Sequence, residues 1–184
     1  MTKKTIDQNT DIRLSKLTIM LDAKEKADKI AADAKKQCDE ETREFYEAKL
    51  AKLLPDLARA TQYCQLLSKL DKRDAFKHLM AVDQSCNYSN NTVRDYGFLA
   101  ASKVSDYNGV PYCYCFINNQ YKHCRNSHIV VLNDGTIARY YADTGISKTK
   151  LSVDDSDLRL SRFVSIVDNM ERDIMTLNEI VDAL

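Results

Sequence analysis

The chain has 184 residues, of which 27 are Lys or Arg and 27 are Asp or Glu, so its formal net charge is zero. That length suits one domain with an extension or two small domains. The balanced charge disfavours nucleic-acid binding, which usually rests on a basic excess. The sequence contains no run of about 18 apolar residues, so no transmembrane helix is predicted. The first residues lack the apolar stretch of a secretory signal. We therefore expect a cytoplasmic protein with no membrane partner and with reduced thiols.

The N-terminal part of the chain predicts one long helix that needs a partner. Residues 11–54 contain neither Gly nor Pro and are rich in Ala, Lys, Glu and Leu. Their best register at spacings of three and four is Leu17, Met20, Lys24, Ala27, Ala31, Ala34, Cys38, Glu41, Phe45, Ala48 and Lys52. Many of these side chains are small and three are charged, so each contributes little burial. Pro55 predicts a kink or the start of a new helix, which would continue to about residue 83.

The middle of the chain predicts a small antiparallel sheet. Residues 92–105 suggest one more helix, after which the apolar residues alternate as they do in strands. Asn133-Asp134-Gly135 joins residues 128–132 to 136–141 and is the strongest hairpin signal in the chain. Residues 146–153 are expected to add an edge strand.

A second hairpin is predicted for residues 110–117 and 120–125, joined by Asn118-Asn119. Its register pairs Cys113 with Cys124, and Tyr114 with His123. One face of this hairpin then carries thiols and the other carries aromatic rings. The aromatic face could stack single-stranded bases, although core packing agrees better with the balanced charge.

The last helix, over residues 157–184, carries an unbroken apolar heptad register. Its seam is Leu160, Phe163, Val167, Met170, Ile174, Leu177, Val181 and Leu184. We expect these residues to form the interface of a homodimer or higher homo-oligomer, with a parallel pair favoured by β-branched residues at the a positions. An intramolecular pairing with the N-terminal helix stays open, as does a bundle, because further apolar residues widen the face.

Cysteines and a histidine of the middle segment are candidate metal ligands by their residue type. The candidate ligands are Cys113, Cys115, Cys124 and His123. Two thiols two residues apart on a strand point the same way at a separation of about 6.5 Å, which is poor chelating geometry. Buried thiols are the favoured interpretation, and no metal or other cofactor is predicted.

Cys86, His128 and Asp143 occur in the order of a cysteine nucleophile, its base and an orienting carboxylate. The segment 128–145 resembles the His-strand, hairpin and Asp-strand unit of transglutaminase-like and papain-like cysteine enzymes. Gly109-Val110-Pro111 resembles the Gly-Ile-Pro that often precedes this unit. The resemblance covers about residues 94–145 and implies that Cys86 attacks, His128 acts as base and Asp143 orients it. The family places its nucleophile at the start of the preceding helix, which here falls near residue 94 rather than at Cys86.

These observations predict an α+β protein with long terminal helices and a small antiparallel meander between them. The expected divisions are a flexible tail (1–10), a helical stalk or bundle (11–84), a small α+β domain (85–153) and a coiled-coil helix (154–184). The predicted function is a non-enzymatic adaptor, scaffold or stoichiometric inhibitor that binds an unidentified protein and self-associates through its helices. A compact chain of this kind also fits an inhibitor encoded by a phage or mobile element. The cysteine enzyme, active or degenerate, and the single-stranded nucleic-acid binder are the alternatives.

Overall fold

The structure is a computed structural model that describes residues 3–80, 96–100, 112–116, 127–141, 145–153, 155 and 158–184. It has the predicted α+β architecture, with a long N-terminal helix, a five-stranded antiparallel sheet and a C-terminal helix in chain order. The chain divides into two compact units, Met1–Glu44 and Phe45–Leu184. The described part of the first unit is entirely helical. The second unit contains the end of the first helix, the sheet and the last helix.

The first helix, α1, spans Lys3–Lys69. It begins within the segment for which the sequence predicts a flexible tail, and it continues through Pro55, so no new helix starts there. The chain leaves α1 through Asp71, whose φ of 56° is the left-handed conformation that commonly ends helices. A short helix, α2 (Arg73–Phe76), and a single 3-10 turn (Lys77–Leu79) follow, in place of the longer helix predicted to about residue 83.

The sheet is a meander in which neighbours in sequence are neighbours in space. Its strands are β1 (Tyr96–Ala100), β2 (Tyr112–Phe116), β3 (Ser127–Val131), β4 (Ile137–Tyr141) and β5 (Gly145–Lys150). The strand β1 lies where the sequence suggested a helix. Tyr114 faces Phe98 on one side and Val131 on the other. The predicted hairpin that pairs Tyr114 with His123 is therefore wrong, because both edges of β2 are already occupied at that position.

The main core lies between one face of the sheet and the helices. The last helix, α3, spans Leu160–Asp182 and packs on β1 and β2. The sheet residues of this core are Phe98, Tyr114, Ile129, Val131 and Ile137. The second half of α1 contributes a buried stripe formed by Leu50, Leu57, Ala60, Cys64 and Leu67. On the opposite face of the sheet Cys115, Val130, Ala138 and Tyr140 are also buried.

Candidate functional site

The seam of α3 belongs to the core of the chain. Its central residues Phe163, Val167, Met170, Ile174 and Leu177 are at most 3% exposed within the single chain. Leu160 and Val181 pack against the same core, whereas Leu184 is exposed. The five central residues are therefore covered by this chain's own sheet and helices rather than by a second copy, which corrects the predicted interface. Self-association itself stays a prediction.

A polar cluster joins the second half of α1 to α3. Lys49 Nζ lies 2.7 Å from Asp168 Oδ1 and 2.7 Å from Glu171 Oε2. The hydroxyl of Tyr46 donates a hydrogen bond to Asp168 Oδ2 at 3.0 Å. The hydrogen bonds from Lys49 to both carboxylates raise the pKa of its ammonium group, and the bond to Asp168 raises the pKa of Tyr46. The cluster fixes the two helices against each other, with partly exposed ion pairs worth about 1 kcal/mol or less each.

A second polar pair lies inside the core. The hydroxyl of buried Tyr114 donates to Oδ2 of Asp173 at 2.8 Å, and Asp173 is only 1% exposed. Arg172 Nε lies 4.0 Å from the other carboxylate oxygen of Asp173. A buried carboxylate needs such partners because its desolvation is costly. The pair connects β2 to α3, and its burial keeps the ring of Tyr114 from stacking on a nucleic-acid base.

The hairpin between β3 and β4 forms around residues 133–135, as predicted. Gly135 has a φ of 81°, which the turn requires. The loop contacts α1, since Asn133 Nδ2 donates to the hydroxyl of Thr61 at 3.1 Å. A Cβ atom placed on Gly135 would lie 3.1 Å from Leu54 Cδ1. This loop is thus a packing element that connects the sheet to α1.

Only one member of the predicted catalytic group lies in a described element. His128 belongs to β3 and pairs with Tyr140 of the neighbouring strand β4. The strand that carries the histidine therefore has the hairpin partner that the predicted His–Asp unit requires. Cys86 and Asp143 lie outside the described residues. The strand β1 occupies part of the segment in which the resemblance implies a helix. The cysteine-enzyme arrangement therefore stays a prediction.

The candidate metal ligands are only partly covered by the structure. Cys113 and Cys115 lie in β2, where Cys115 is fully buried, and Cys124 and His123 lie outside the described residues. Among the residues that the structure describes, no three His, Cys, Asp or Glu side chains are grouped so that they could hold a metal ion. No helix in the same residues is long and apolar enough to cross a membrane.

The exposed surface of α1 is a further candidate site. Every side chain in residues 11–41 is exposed. Seven large apolar side chains in this stretch are 54–69% exposed, namely Ile12, Leu14, Leu17, Ile19, Met20, Leu21 and Ile30. The sequence predicted that this helix needs a partner. We call residues 11–44 of α1 the binding helix.

No protein-family model, curated protein or solved structure matches the chain. The function is therefore inferred from the residues and their geometry.

Proposed function

We propose that this chain is a non-enzymatic protein-binding module that contacts its partner through the binding helix. The observation that supports this proposal is the continuous exposure of residues 11–41, with seven large apolar side chains among them. A lone helix is marginally stable in water, because helices in proteins gain most of their stability from packing an apolar face. Seven large apolar side chains exposed on one helix are more than the isolated ones that are normal on a protein surface, and such exposure is typical of an interaction site.

The second unit supplies the folded body of such a module. Its polar clusters connect its own elements: Lys49 of α1 binds Asp168 of α3, and Tyr114 of β2 binds Asp173 of α3. These contacts support the proposal because they give the polar groups that make them a role in joining the elements of the unit. An adaptor or scaffold needs such a stable body together with an accessible binding element.

The proposal is tested by changing the apolar face of the binding helix in the full-length chain. Leu17→Gln with Met20→Gln removes two exposed apolar side chains while keeping good helix formers. Asp22→Gln with Lys29→Gln is the matched control, because it changes two residues on the opposite face and leaves the net charge unchanged. In both variants the second unit is expected to unfold at the same temperature as in the wild type.

The readout is quantitative co-purification of proteins with the wild-type chain and each variant, together with the mass of each in solution by light scattering. We expect every specific association, with a second copy or with another protein, to be lost in the Leu17/Met20 variant and kept in the control. Associations that are unaffected by the Leu17/Met20 changes would contradict the proposal.

A further inference from the structure

We propose that the partner of the binding helix is a second copy of the same helix, paired antiparallel. This inference rests on the proposed function and specifies its partner. Every residue of the register between Leu17 and Glu41 is exposed in the single chain, and the charges within that register decide the direction of pairing.

A parallel pair would bring like charges together in the seam. In a parallel homodimer in register, each seam residue faces its own copy. Lys24 would therefore face Lys24, and Glu41 would face Glu41, with both pairs at least partly removed from water. Like charges in such positions destabilise the pair. The parallel arrangement is disfavoured by these two layers.

An antiparallel pair places each of these charges opposite an apolar residue. Seam positions of antiparallel helices pair so that Met20 of one copy faces Cys38 of the other and Lys24 faces Ala34. In the same alignment Glu41 faces Leu17, where its aliphatic stem can cover the leucine while its carboxylate reaches water. Large side chains of one copy thus meet small ones of the other, which is the complementarity that close helix packing needs.

The flanking positions on the Lys16 side of the seam agree with this alignment, whereas Asp28, on the other side, faces its own copy near the two-fold axis. Lys16 of one copy lies beside Glu44 of the other, and the two-fold symmetry forms this ion pair twice. Ile30, which is 69% exposed in the single chain, lies next to the two-fold axis and faces its own copy. The alignment therefore covers a large apolar side chain at the centre and pairs opposite charges at both ends.

The distribution of charge along the helix favours the same direction. Residues 12–21 carry Arg13 and Lys16 and no acidic residue. Residues 39–44 carry four acidic residues and one base, Arg43. An antiparallel pair brings the basic segment of one copy beside the acidic segment of the other, whereas a parallel pair brings each segment beside itself.

Cys38 provides a native probe for the direction of pairing. It is exposed, and a disulfide needs Cα atoms about 4.4–6.8 Å apart. In the antiparallel alignment the two Cys38 residues are separated by 18 residues of helix, or about 27 Å. In a parallel pair they face each other. The substitution Met20→Cys places a new thiol opposite Cys38 of the other copy only in the antiparallel pair.

The experiment is mild oxidation of the full-length wild type and of the Met20→Cys variant, with the linked peptides identified by mass spectrometry. We expect a covalent dimer only in the variant, with the introduced thiol bonded to Cys38. Adding Cys38→Ser to Met20→Cys should abolish it. Asp22→Cys, on the opposite face, is the matched control and should not cross-link.

A Cys38–Cys38 bond in the wild type, or a Met20→Cys cross-link that survives Cys38→Ser, would overturn the antiparallel pairing. A monomer by light scattering at every concentration would overturn the homodimer. The proposed function would survive that last result if another protein still co-purified and was lost on changing Leu17 and Met20. It would fail together with the homodimer if no association depended on these residues.

Discussion

Substitution of Gly135 by Ala tests how the hairpin loop holds the sheet against α1. Gly135 has a φ of 81°, a backbone conformation that costs an ordinary L-residue about 1–2 kcal/mol. The added Cβ would also lie 3.1 Å from Cδ1 of Leu54, which is closer than ordinary van der Waals contact. The leucine methyl is at the end of a flexible side chain and can shift by a few tenths of an ångström. We therefore expect the backbone to dominate and the free energy of unfolding to fall by about 1–2 kcal/mol.

The measurement is urea denaturation of the wild type and of Gly135→Ala, in which spectroscopic signals of the second unit monitor unfolding. For a slope of about 2 kcal/mol per molar urea, the middle of the usual range, the midpoint should fall by roughly 0.5–1 M. Two further variants separate the causes. Gly135→Asn should lose less stability, because Asn tolerates the left-handed region. Leu54→Ala removes the crowding, so Gly135→Ala should cost nearly as much in that background as in the wild type.

Two outcomes would refute this reasoning. Unchanged stability in Gly135→Ala would mean that the loop does not require the left-handed conformation. A loss that disappears in the Leu54→Ala background would mean that the contact with α1, rather than the backbone, sets the cost.

Two other predictions concern buried groups of the second unit. Tyr114→Phe removes the donor to buried Asp173 and should lower the free energy of unfolding by about 1.5–3 kcal/mol, as for hydrogen bonds to charged groups; urea denaturation that shows no loss would contradict this role of the pair. Burial raises the pKa of Cys64 from 9.0 to about 12, so the folded chain holds a proton that the unfolded chain releases above pH 9.0. This contribution to stability is complete below pH 9.0 and falls as the pH rises towards 12. In Cys64→Ala the free energy of unfolding, measured by urea denaturation, should therefore decrease less between pH 9.0 and 12 than it does in the wild type. An identical pH dependence in both proteins would contradict this role of Cys64.

The last helix shows what the heptad pattern could and could not predict. Its existence and its apolar face follow from the sequence, since Phe163, Val167 and Met170 recur at helical spacing. A helix that lies on a sheet needs nearly the same spacing as a helix that lies on a second helix. The pattern therefore identifies the buried face and not its partner. Ile166 is one of the further apolar residues that make the face wider than a two-stranded seam, and it is only 1% exposed.

The sequence predicts the strands of the sheet where a turn sequence marks them, and it does not predict strands whose conformation depends on pairing with residues elsewhere in the chain. The Asn-Asp-Gly sequence at residues 133–135 is typical of a hairpin turn, so the sequence predicts the strands β3 and β4 on either side of it. The strand β1 gains its conformation by pairing with β2 across the chain, for example Phe98 with Tyr114. Such pairing overrides a weak local preference for helix. The pairing predicted for the Asn118-Asn119 hairpin is wrong for the same reason, because β1 and β3 occupy both edges of β2 at Tyr114, while the turn itself lies outside the described residues.

The chain has two apolar helix faces of different strength, and the structure uses them differently. The stronger face, on α3, is rich in large side chains and is buried inside the second unit. The weaker face, on the binding helix, has three Ala among its eight register positions between residues 17 and 41 and is interrupted by Lys24 and Glu41. Each Ala contributes little burial, and the flanking ion pairs would remain exposed and screened by salt. The association that we propose for this face would therefore be reversible and weakened by salt. In the part of the chain that the structure describes, the apolar face of α3 is thus buried in the core while the thinner seam of α1 is exposed.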